Sequence, residues 1–379
     1  MNSHSPEVSI VIPCLNEGKT LPIVIKKGFS AFKRLGIEGE IIVSDNGSTD
    51  DSVEAAKKYG ARVVNCPQRG YGNALKCGFR EARSEFLIMG DADDSYNFLK
   101  IEGFVENLRK GYDLVIGSRI KGRIEKGAMP FLHRYLGTPV LTFVLNLFFG
   151  TKISDCNCGM RGLRKSVFER MNLVAGGMEF ASEMVIKAGI LGLKIKEIPI
   201  TLHRDKRGRP PHLNTWRDGW RHLKFMLLYA PNFVFVWPGF LLFLVGSTLV
   251  LMQANGPFVW GPIFMDIHFM IFGLTMALLG ISVLQMGLII KIFSHLNIYY
   301  RKDRILERLE KISLEKGIVV SLLVFLAGLL IDASVLLQWI SNGFHDLAMF
   351  RTAVLGLYFI FSGASAIFFF FMRETMRKD

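Results

Sequence analysis

The apolar positions of this 379-residue chain follow two different rhythms. From Val8 to about Ile116, short β-branched runs alternate with stretches whose apolar residues recur at helical spacing, a pattern that calls for strands and helices in turn. Val8 to Ile12, Glu40 to Ser44, Arg62 to Asn65, Phe86 to Met89 and Leu114 to Ile116 read as strands. Leu21 to Leu35, Ser52 to Tyr59, Tyr71 to Ala82 and Leu99 to Lys110 read as the helices between them. Such βα alternation predicts an α/β fold with a mostly parallel sheet covered on both faces, and ligands in the crevice at the carboxyl ends of the strands.

After Arg119 the alternation stops. Pro130 to Phe149 is apolar and aromatic but interrupted by His133, Arg134, Gly137 and Pro139. Its purely apolar part is short for a span, so it reads as a helix lying on or dipping into a bilayer surface, with a buried core helix as the alternative. A strand and turn around Gly159 to Leu163, helices at Lys165 to Met171 and Glu179 to Leu191, and a strand at Ile195 to Leu202 follow. The basic, aromatic stretch Trp216 to Tyr229 reads as a juxtamembrane helix.

The second rhythm begins beyond Asn232. Phe233 to Met252, Ile267 to Ile290, Ile318 to Ile340 and Thr352 to Met372 are each near the roughly 20 apolar residues that cross a bilayer as helix. The expected organisation is therefore an α/β domain over 1–213, a juxtamembrane helix over 214–232 and a membrane domain over 233–379. Asp332 is the odd residue in the spans, either a functional site or a carboxylate hydrogen-bonded within the bundle or set near the outer interface.

Charge then orients the spans. The connection Phe293 to Lys316 holds Arg301, Lys302, Arg304, Arg308, Lys311 and Lys316, whereas Ala254 to Asp266 and Ser341 to Phe350 contain no Lys or Arg. By the positive-inside rule both chain ends and the middle loop face the cytoplasm, as a multi-pass protein of the plasma membrane if the source is bacterial or archaeal. The amino-terminal half has no apolar run resembling a cleaved signal and is expected on the same side. The net charge of +13 crowds next to the membrane segments, without a nucleic-acid motif, and points to lipid headgroups and phosphate ligands. Helix packing between copies would give a homo-oligomer. The five cysteines, Cys14, Cys66, Cys77, Cys156 and Cys158, match no zinc spacing and are expected as free thiols in a reducing compartment.

The chemistry-bearing residues cluster at strand ends. The first strand runs into Pro13, Cys14, Leu15, Asn16 and Glu17, and the second into Ser44, Asp45, Asn46, Gly47, Ser48, Thr49 and Asp50. Carboxylates and amides on adjacent strand ends suit ribose hydroxyls and the edge of a base, although Ser48 with Asp51 also reads as a helix-capping box. The fourth strand ends in Gly90, Asp91, Ala92, Asp93, Asp94 and Ser95. There Asp91 and Asp93 can share one hard divalent cation with open positions for substrate phosphates, while Asp94 reads as a helix cap.

With PCLNE, SDNGSTD, RGYGNAL, GDADDS, GSR and DCNCGMRG in this order, the chain resembles the inverting family 2 glycosyltransferases of the GT-A fold, from Val8 to about Pro231. Within them it looks like the dolichyl or undecaprenyl phosphate sugar synthases. The resemblance implies that Pro13, Asn16, Glu17 and Asp45 hold the nucleoside, that Gly70, Tyr71, Gly72 and Asn73 turn near the diphosphate, and that Asp91 and Asp93 bind magnesium or manganese. Many members carry Gln where this chain has Ser95. Arg119 is implied for the phosphate of a polyprenyl acceptor. Asp155, the candidate acceptor-side carboxylate, and Arg161, implied on the acceptor phosphate, correspond to the family's DxxxGFR, with Met160 in place of Phe. Glu179 and Glu183, in GMEFASEM, read as capping or lining the site from a helix, with core support as the alternative. In the basic loop from His203 to His212, Arg204 or Arg207 is expected on phosphate, without a choice between them. The expected reaction transfers a hexose from a UDP- or GDP-linked donor to polyprenyl phosphate. A processive polysaccharide synthase would carry QxxRW after Asp155, yet no Gln occurs between Asp155 and Pro231. A non-catalytic nucleotide-sugar-binding membrane protein is the alternative from another class.

Overall fold

The computed structural model describes residues 5–206, 215–298, 304–345 and 347–377. It divides into two units, Met1–Tyr229 and Ala230–Asp379.

The first unit is built on a seven-stranded sheet of order β3-β2-β1-β4-β6-β5-β7. Its strands are β1 (Val8–Cys14), β2 (Gly39–Asp45), β3 (Arg62–Asn65), β4 (Phe86–Met89), β5 (Leu114–Ile124), β6 (Arg161–Arg164) and β7 (Ile195–Leu202). All neighbours pair in parallel except β6, which runs antiparallel to both β4 and β5. Val8, Ile10, Val11 and Ile12 are completely buried, which is why β1 is continuously apolar rather than alternating: helices cover both of its faces. The chain leaves β1 in one direction to β2 and β3 and in the other to β4, so the crevice opens at the carboxyl ends of β1, β2 and β4. The register aligns them there, with Cys14 opposite Asp45 and Val11 opposite Met89.

The helices of this unit are α1 (Leu21–Leu35), α2 (Ser52–Lys58), α3 (Tyr71–Glu81), α4 (Glu102–Arg109), α5 (Thr138–Phe149), α6 (Lys165–Met171), α7 (Phe180–Ile190) and α8 (Thr215–Leu228). In α1, Leu21, Val24, Ile25, Gly28, Ala31 and Phe32 form the buried stripe; Pro22 opens the helix and Gly36, at φ 62°, closes it. Two expectations are corrected. β5 continues to Ile124 instead of stopping at Ile116, with an irregularity against β7 between Ser118 and Arg123. Cys66 and Cys77 are joined as a disulfide, with Cα atoms 6.0 Å apart, because α3 folds back beside the end of β3; Cys14, Cys156 and Cys158 are free thiols.

The segment before α5 takes a π-helical turn over His133–Gly137. Leu141, Thr142 and Leu145 of α5 are buried, but Phe131, Tyr135, Val140, Phe143 and Leu147 are exposed, Phe131 at 76%. An apolar face of this extent does not fit a core helix and calls for a hydrophobic neighbour.

The second unit contains α9 (Trp237–Met252), α10 (Ile267–Ile298), α11 (Arg304–Glu310), α12 (Leu314–Ser341) and α13 (Phe350–Arg377). Four helices are long and apolar enough to cross a membrane: Asn232–Met252, Ile267–Leu296, Leu314–Ser341 and Phe350–Arg377. They pack as close pairs through small residues. A Cβ on Gly246 of α9 would lie 2.3 Å from the backbone N of Ala277, and one on Gly328 of α12 would lie 2.6 Å from that of Ile360. A hairpin of β8 (Phe258–Trp260) and β9 (Ile263–Met265), not anticipated from the pattern, joins α9 to α10. Asp332 lies against Gly356, and its Oδ1 is buried without a hydrogen-bond partner among the described residues.

Candidate active site

The residues at the ends of β1 and β2 interlock. Asn46 N donates to Cys14 O (2.9 Å), while the Asp45 carboxylate accepts the amides of Gly47 (3.1 Å) and Ser48 (3.2 Å). Asn16 adopts φ 58°; its N–H donates to Ser48 Oγ (2.9 Å) and its Oδ1 accepts the Thr49 amide (2.7 Å). Ser48 therefore braces Asn16, and the capping box read at Ser48 and Asp51 does not form. Pro13 pairs with Ser44 in the sheet, and Glu17, buried, accepts from Thr20 Oγ1 (3.2 Å). The Asn46 side chain reaches away to the next loop, donating to Cys66 O and Gln68 O and accepting Gly70 N (2.6 Å). Asn46 thus positions the turn that precedes α3.

That turn meets the loop before α7 at very short range. A Cβ on Gly70, whose φ is 131°, would lie 2.2 Å from Gly176 O, and one on Gly72 would lie 2.6 Å from Ala175 O. Glycine at 70 and 72 lets two backbones touch, which brings Tyr71 over the acidic turn. Tyr71 Oη donates to Asp91 Oδ1 at 3.0 Å. Burial, with Asp91 beside it, pushes the Tyr71 hydroxyl well above its ordinary value, so it stays a neutral donor.

Asp93 is buried, and its Oδ1 accepts both the amide (3.0 Å) and the hydroxyl (2.6 Å) of Ser95. The residue where relatives carry Gln is thus a brace for Asp93. Asp94 is not a helix cap: at φ 62° its buried carboxylate pairs with Lys27 (2.5 Å) and Lys206 (2.7 Å), and Asn97 caps the following turn. Lys206 N also donates to Asp93 O (3.2 Å), so the chain leaving β7 is fastened to the acidic turn. Among the described residues no group of three His, Cys, Asp or Glu gathers as a metal cage. Two carboxylates in one turn nevertheless fit a hard cation completed by substrate phosphate and water.

On the other flank, the irregularity in β5 turns Arg119 onto Asp155. Nε and Nη2 of Arg119 meet the two Asp155 oxygens at 2.7 Å each, and Arg119 N adds a third bond at 3.1 Å. Asp155 is wholly buried and Arg119 nearly so. Glu197 of β7 anchors this loop by accepting the amides of Ser154 (2.7 Å) and Asp155 (3.2 Å). The two flanks touch: a Cβ on Gly159 would lie 3.0 Å from Asp91 Oδ2, and Gly159 N donates to Tyr96 Oη (3.0 Å). Desolvation raises the neighbouring thiols, Cys156 to about 11 and Cys158 to about 12.

Arg161, expected on an acceptor phosphate, is turned inward. It has no exposed surface, and its guanidinium donates to the carbonyls of Cys158 (2.9 Å), Cys156 (2.6 Å) and Ala181 (2.5 Å), so it holds the Asp155 loop together. Glu183 is likewise structural, accepting Val174 N and Ala175 N beside Lys187. Glu179 opens α7 and accepts Gly177 N (3.2 Å). Arg204 is exposed, next to the His203–Glu125 pair. Arg207 and the rest of the loop to His212 lie outside the described residues, as do Arg301 and Lys302. Sequence reasoning missed Tyr96, Glu197 and the pairing of Asp94 with Lys27 and Lys206; Tyr96, Glu197 and Lys27 sit in no motif spacing that could have marked them.

Comparison with known proteins gives the family of the chain. Residues 9–171 match the model of glycosyl transferase family 2, and residues 288–377 match the glycosyltransferase family 2 C-terminal transmembrane region. The low-salt glycan biosynthesis hexosyltransferase Agl6 of Haloferax volcanii is 35% identical over 374 residues, covering 98% of this chain and 89% of that protein. Glycosyltransferase AglJ of the same organism is 29% identical over 213 residues, 56% of this chain and 68% of its own. Among solved structures, glucosyl-3-phosphoglycerate synthase from Mycobacterium tuberculosis, in complex with Mn2+, UDP and glucosyl-3-phosphoglycerate, is 22% identical; it covers 59% of this chain and 80% of its own, with a TM-score of 0.48. A nucleotide-sugar transferase domain of GT-A type joined to membrane helices is the class defined here. The chain belongs to glycosyltransferase family 2 and is an integral membrane glycosyltransferase.

Proposed function

We propose that this enzyme transfers a hexose, with inversion, from a UDP- or GDP-linked sugar to a polyprenyl phosphate, undecaprenyl or dolichyl, on the cytoplasmic face of the membrane. The observation that carries the reading is the contact of the two flanks through Gly159 and Tyr96. It brings Asp91 close to the loop that carries the Arg119–Asp155 pair, which supports a diphosphate bound through a cation on one side and a second phosphate on the other. Asp91 and Asp93 would hold magnesium or manganese, which when bound neutralises the departing diphosphate.

The remaining work falls to the chain's own groups. Asp45, Asn16, Glu17 and Pro13 hold the nucleoside, and Asn46 and Gly72 set the turn beside the diphosphate. Arg119, oriented by Asp155, meets the acceptor phosphate, assisted by Arg204 or Arg207 from the basic loop. A phosphate oxygen forms the bond to the anomeric carbon as the bond to the nucleoside diphosphate breaks. The attacking oxygen is already anionic near neutral pH, so no proton has to be removed, and Asp155 serves by fixing Arg119. The similarity to a hexosyltransferase of glycan biosynthesis supports a hexose donor. Lys and Arg in the 293–316 connection, with none in 254–266, support cytoplasmic ends. The exposed apolar face around Phe131 and Phe143 supports a catalytic unit resting on lipid.

The test is incubation of the purified chain with a panel of labelled nucleotide sugars, polyprenyl phosphate and Mg2+ or Mn2+. Label is expected in the organic phase for one donor, and chelation should abolish it. Absence of lipid-linked label with every donor would end the reading.

A further inference from the structure

A cavity of about 430 Å3 lies within the first unit, between the turn opening α3, the loop before α7, and one face of α8. It stands beside the acidic turn, because Gly70 on its wall is followed by Tyr71, the residue that bonds Asp91. The α8 residues that line it are Arg221, Lys224, Phe225 and Leu228, spaced i, i+3, i+4, i+7, which makes a single stripe. The adjacent face of α8 is locked inward: Met226 is fully buried, and His222 Nδ1 is 2.7 Å from Ser182 Oγ on α7. The rotation of α8 is therefore set, and the stripe faces the cavity by construction.

The stripe is graded. Its first turn carries the cations Arg221 and Lys224, facing Arg69 across the cavity, with Glu179 as the counter-charge among the lining residues. Its last turn is apolar, with Phe225 half-buried and Leu228 exposed, and the chain then runs through Ala230 into the first span. A cationic end followed by an apolar end matches an amphiphile with an anionic head. A nucleotide sugar has no apolar tail to place on Leu228. We infer that this cavity is where the acceptor lipid docks, its phosphate first drawn by Arg221, Lys224 and Arg69 before it passes to Arg119, and its first isoprene units laid along Phe225 and Leu228. The inference rests on the polyprenyl phosphate reading above and adds a site to it.

The test uses the full chain in nanodiscs, with Michaelis constants for polyprenyl phosphate and nucleotide sugar measured separately, and lipid binding read by photo-crosslinking with a polyprenyl phosphate analogue. Arg221→Glu and Lys224→Glu are changes at exposed positions. Each should raise the KM for polyprenyl phosphate by roughly tenfold, with donor KM and kcat within about twofold, as loss of a charge-assisted phosphate contact implies. Lys224→Arg should retain the wild-type value. Phe225→Ala should raise KM for polyprenyl phosphate but leave competition by inorganic phosphate unchanged, which separates tail recognition from phosphate recognition. An unchanged lipid KM in both charge reversals, with wild type active, would overturn this site and leave the proposed reaction standing. So would a rise confined to the donor KM, which would assign the cavity to the nucleotide sugar. A wild type that neither crosslinks to nor glycosylates polyprenyl phosphate would overturn both.

Discussion

The two units differ in how completely they satisfy their buried polar groups. In the catalytic unit a buried Asp93 is braced by Ser95, a buried Asp94 by two lysines, a buried Asp155 by Arg119, and a buried Arg161 by three carbonyls. Among the described residues, Ser44 Oγ is its one buried side-chain atom without a hydrogen bond. In the membrane unit Gln253 Oε1, Asp332 Oδ1, Arg351 Nε, Ser362 Oγ and Arg373 Nε are buried with no hydrogen-bond partner among the described residues. The first unit spends its polar residues on a rigid constellation. The second is held by close backbone packing, with polar atoms fitted around it. Rigidity is what a reaction that depends on placement requires, whereas helices that anchor a site need length, apolarity and small residues at their contacts.

The largest expected effect probes the first half of that contrast. Asp93→Asn keeps the bulk of the turn but removes a charge, and transfer should fall by roughly a thousandfold or more, as loss of several kcal/mol of charge stabilisation requires. Circular dichroism and the unfolding midpoint should hardly move; retained activity would show that Asp93 is merely structural. Next is Asp155→Asn, which leaves Arg119 almost buried without its partner. Unfolding free energy should drop by about 3 kcal/mol, and adding Arg119→Met should recover part of it.

Gly246→Leu tests the second half of the contrast. With a Cβ only 2.3 Å from the Ala277 backbone, overpacking should cost about 1 to 3 kcal/mol, read as a lower melting temperature in detergent. Nucleotide-sugar affinity should be unchanged, and a loss of it would mean the units are coupled. The smallest effect concerns Glu40. Burial raises its pKa, but the Arg83 amide, Ser9 and Arg62 outweigh this and hold it below its ordinary 4.5. A depressed folded value stabilises above pH 4.5, and that stabilisation is lost as pH falls through the folded value. Glu40→Gln should therefore flatten the acid limb of a melting-temperature profile, by less than about 1 kcal/mol given its partial exposure.

The strands and helices of the first unit were legible because each is specified by its own period. The α1 stripe and the apolar run of β1 suffice to place those elements, and the four membrane helices announce themselves by length. The acidic turn was legible as three carboxylates in four residues. By contrast, Asp94 resembles any helix cap until Lys27 and Lys206 are seen beside it. Arg161 sits in a motif beside Asp155, and nothing in its neighbours in the chain says that it faces inward. The Cys66–Cys77 pairing was missed for a similar reason: its sulfurs meet through the return of α3 against β3.

What the chain's order of residues determined alone is the family, the βα alternation, the membrane spans and which carboxylates are candidates, since periodicity and turn chemistry operate over a few neighbouring positions. Tertiary structure decided which charges are paired and which face a cavity: Lys27 lies 67 residues from Asp94, Lys206 lies 112 residues from it, and Arg119 lies 36 from Asp155. Those partners are chosen by strand order and by the packing of helices on the sheet, and an ion pair between distant residues leaves no trace in local sequence.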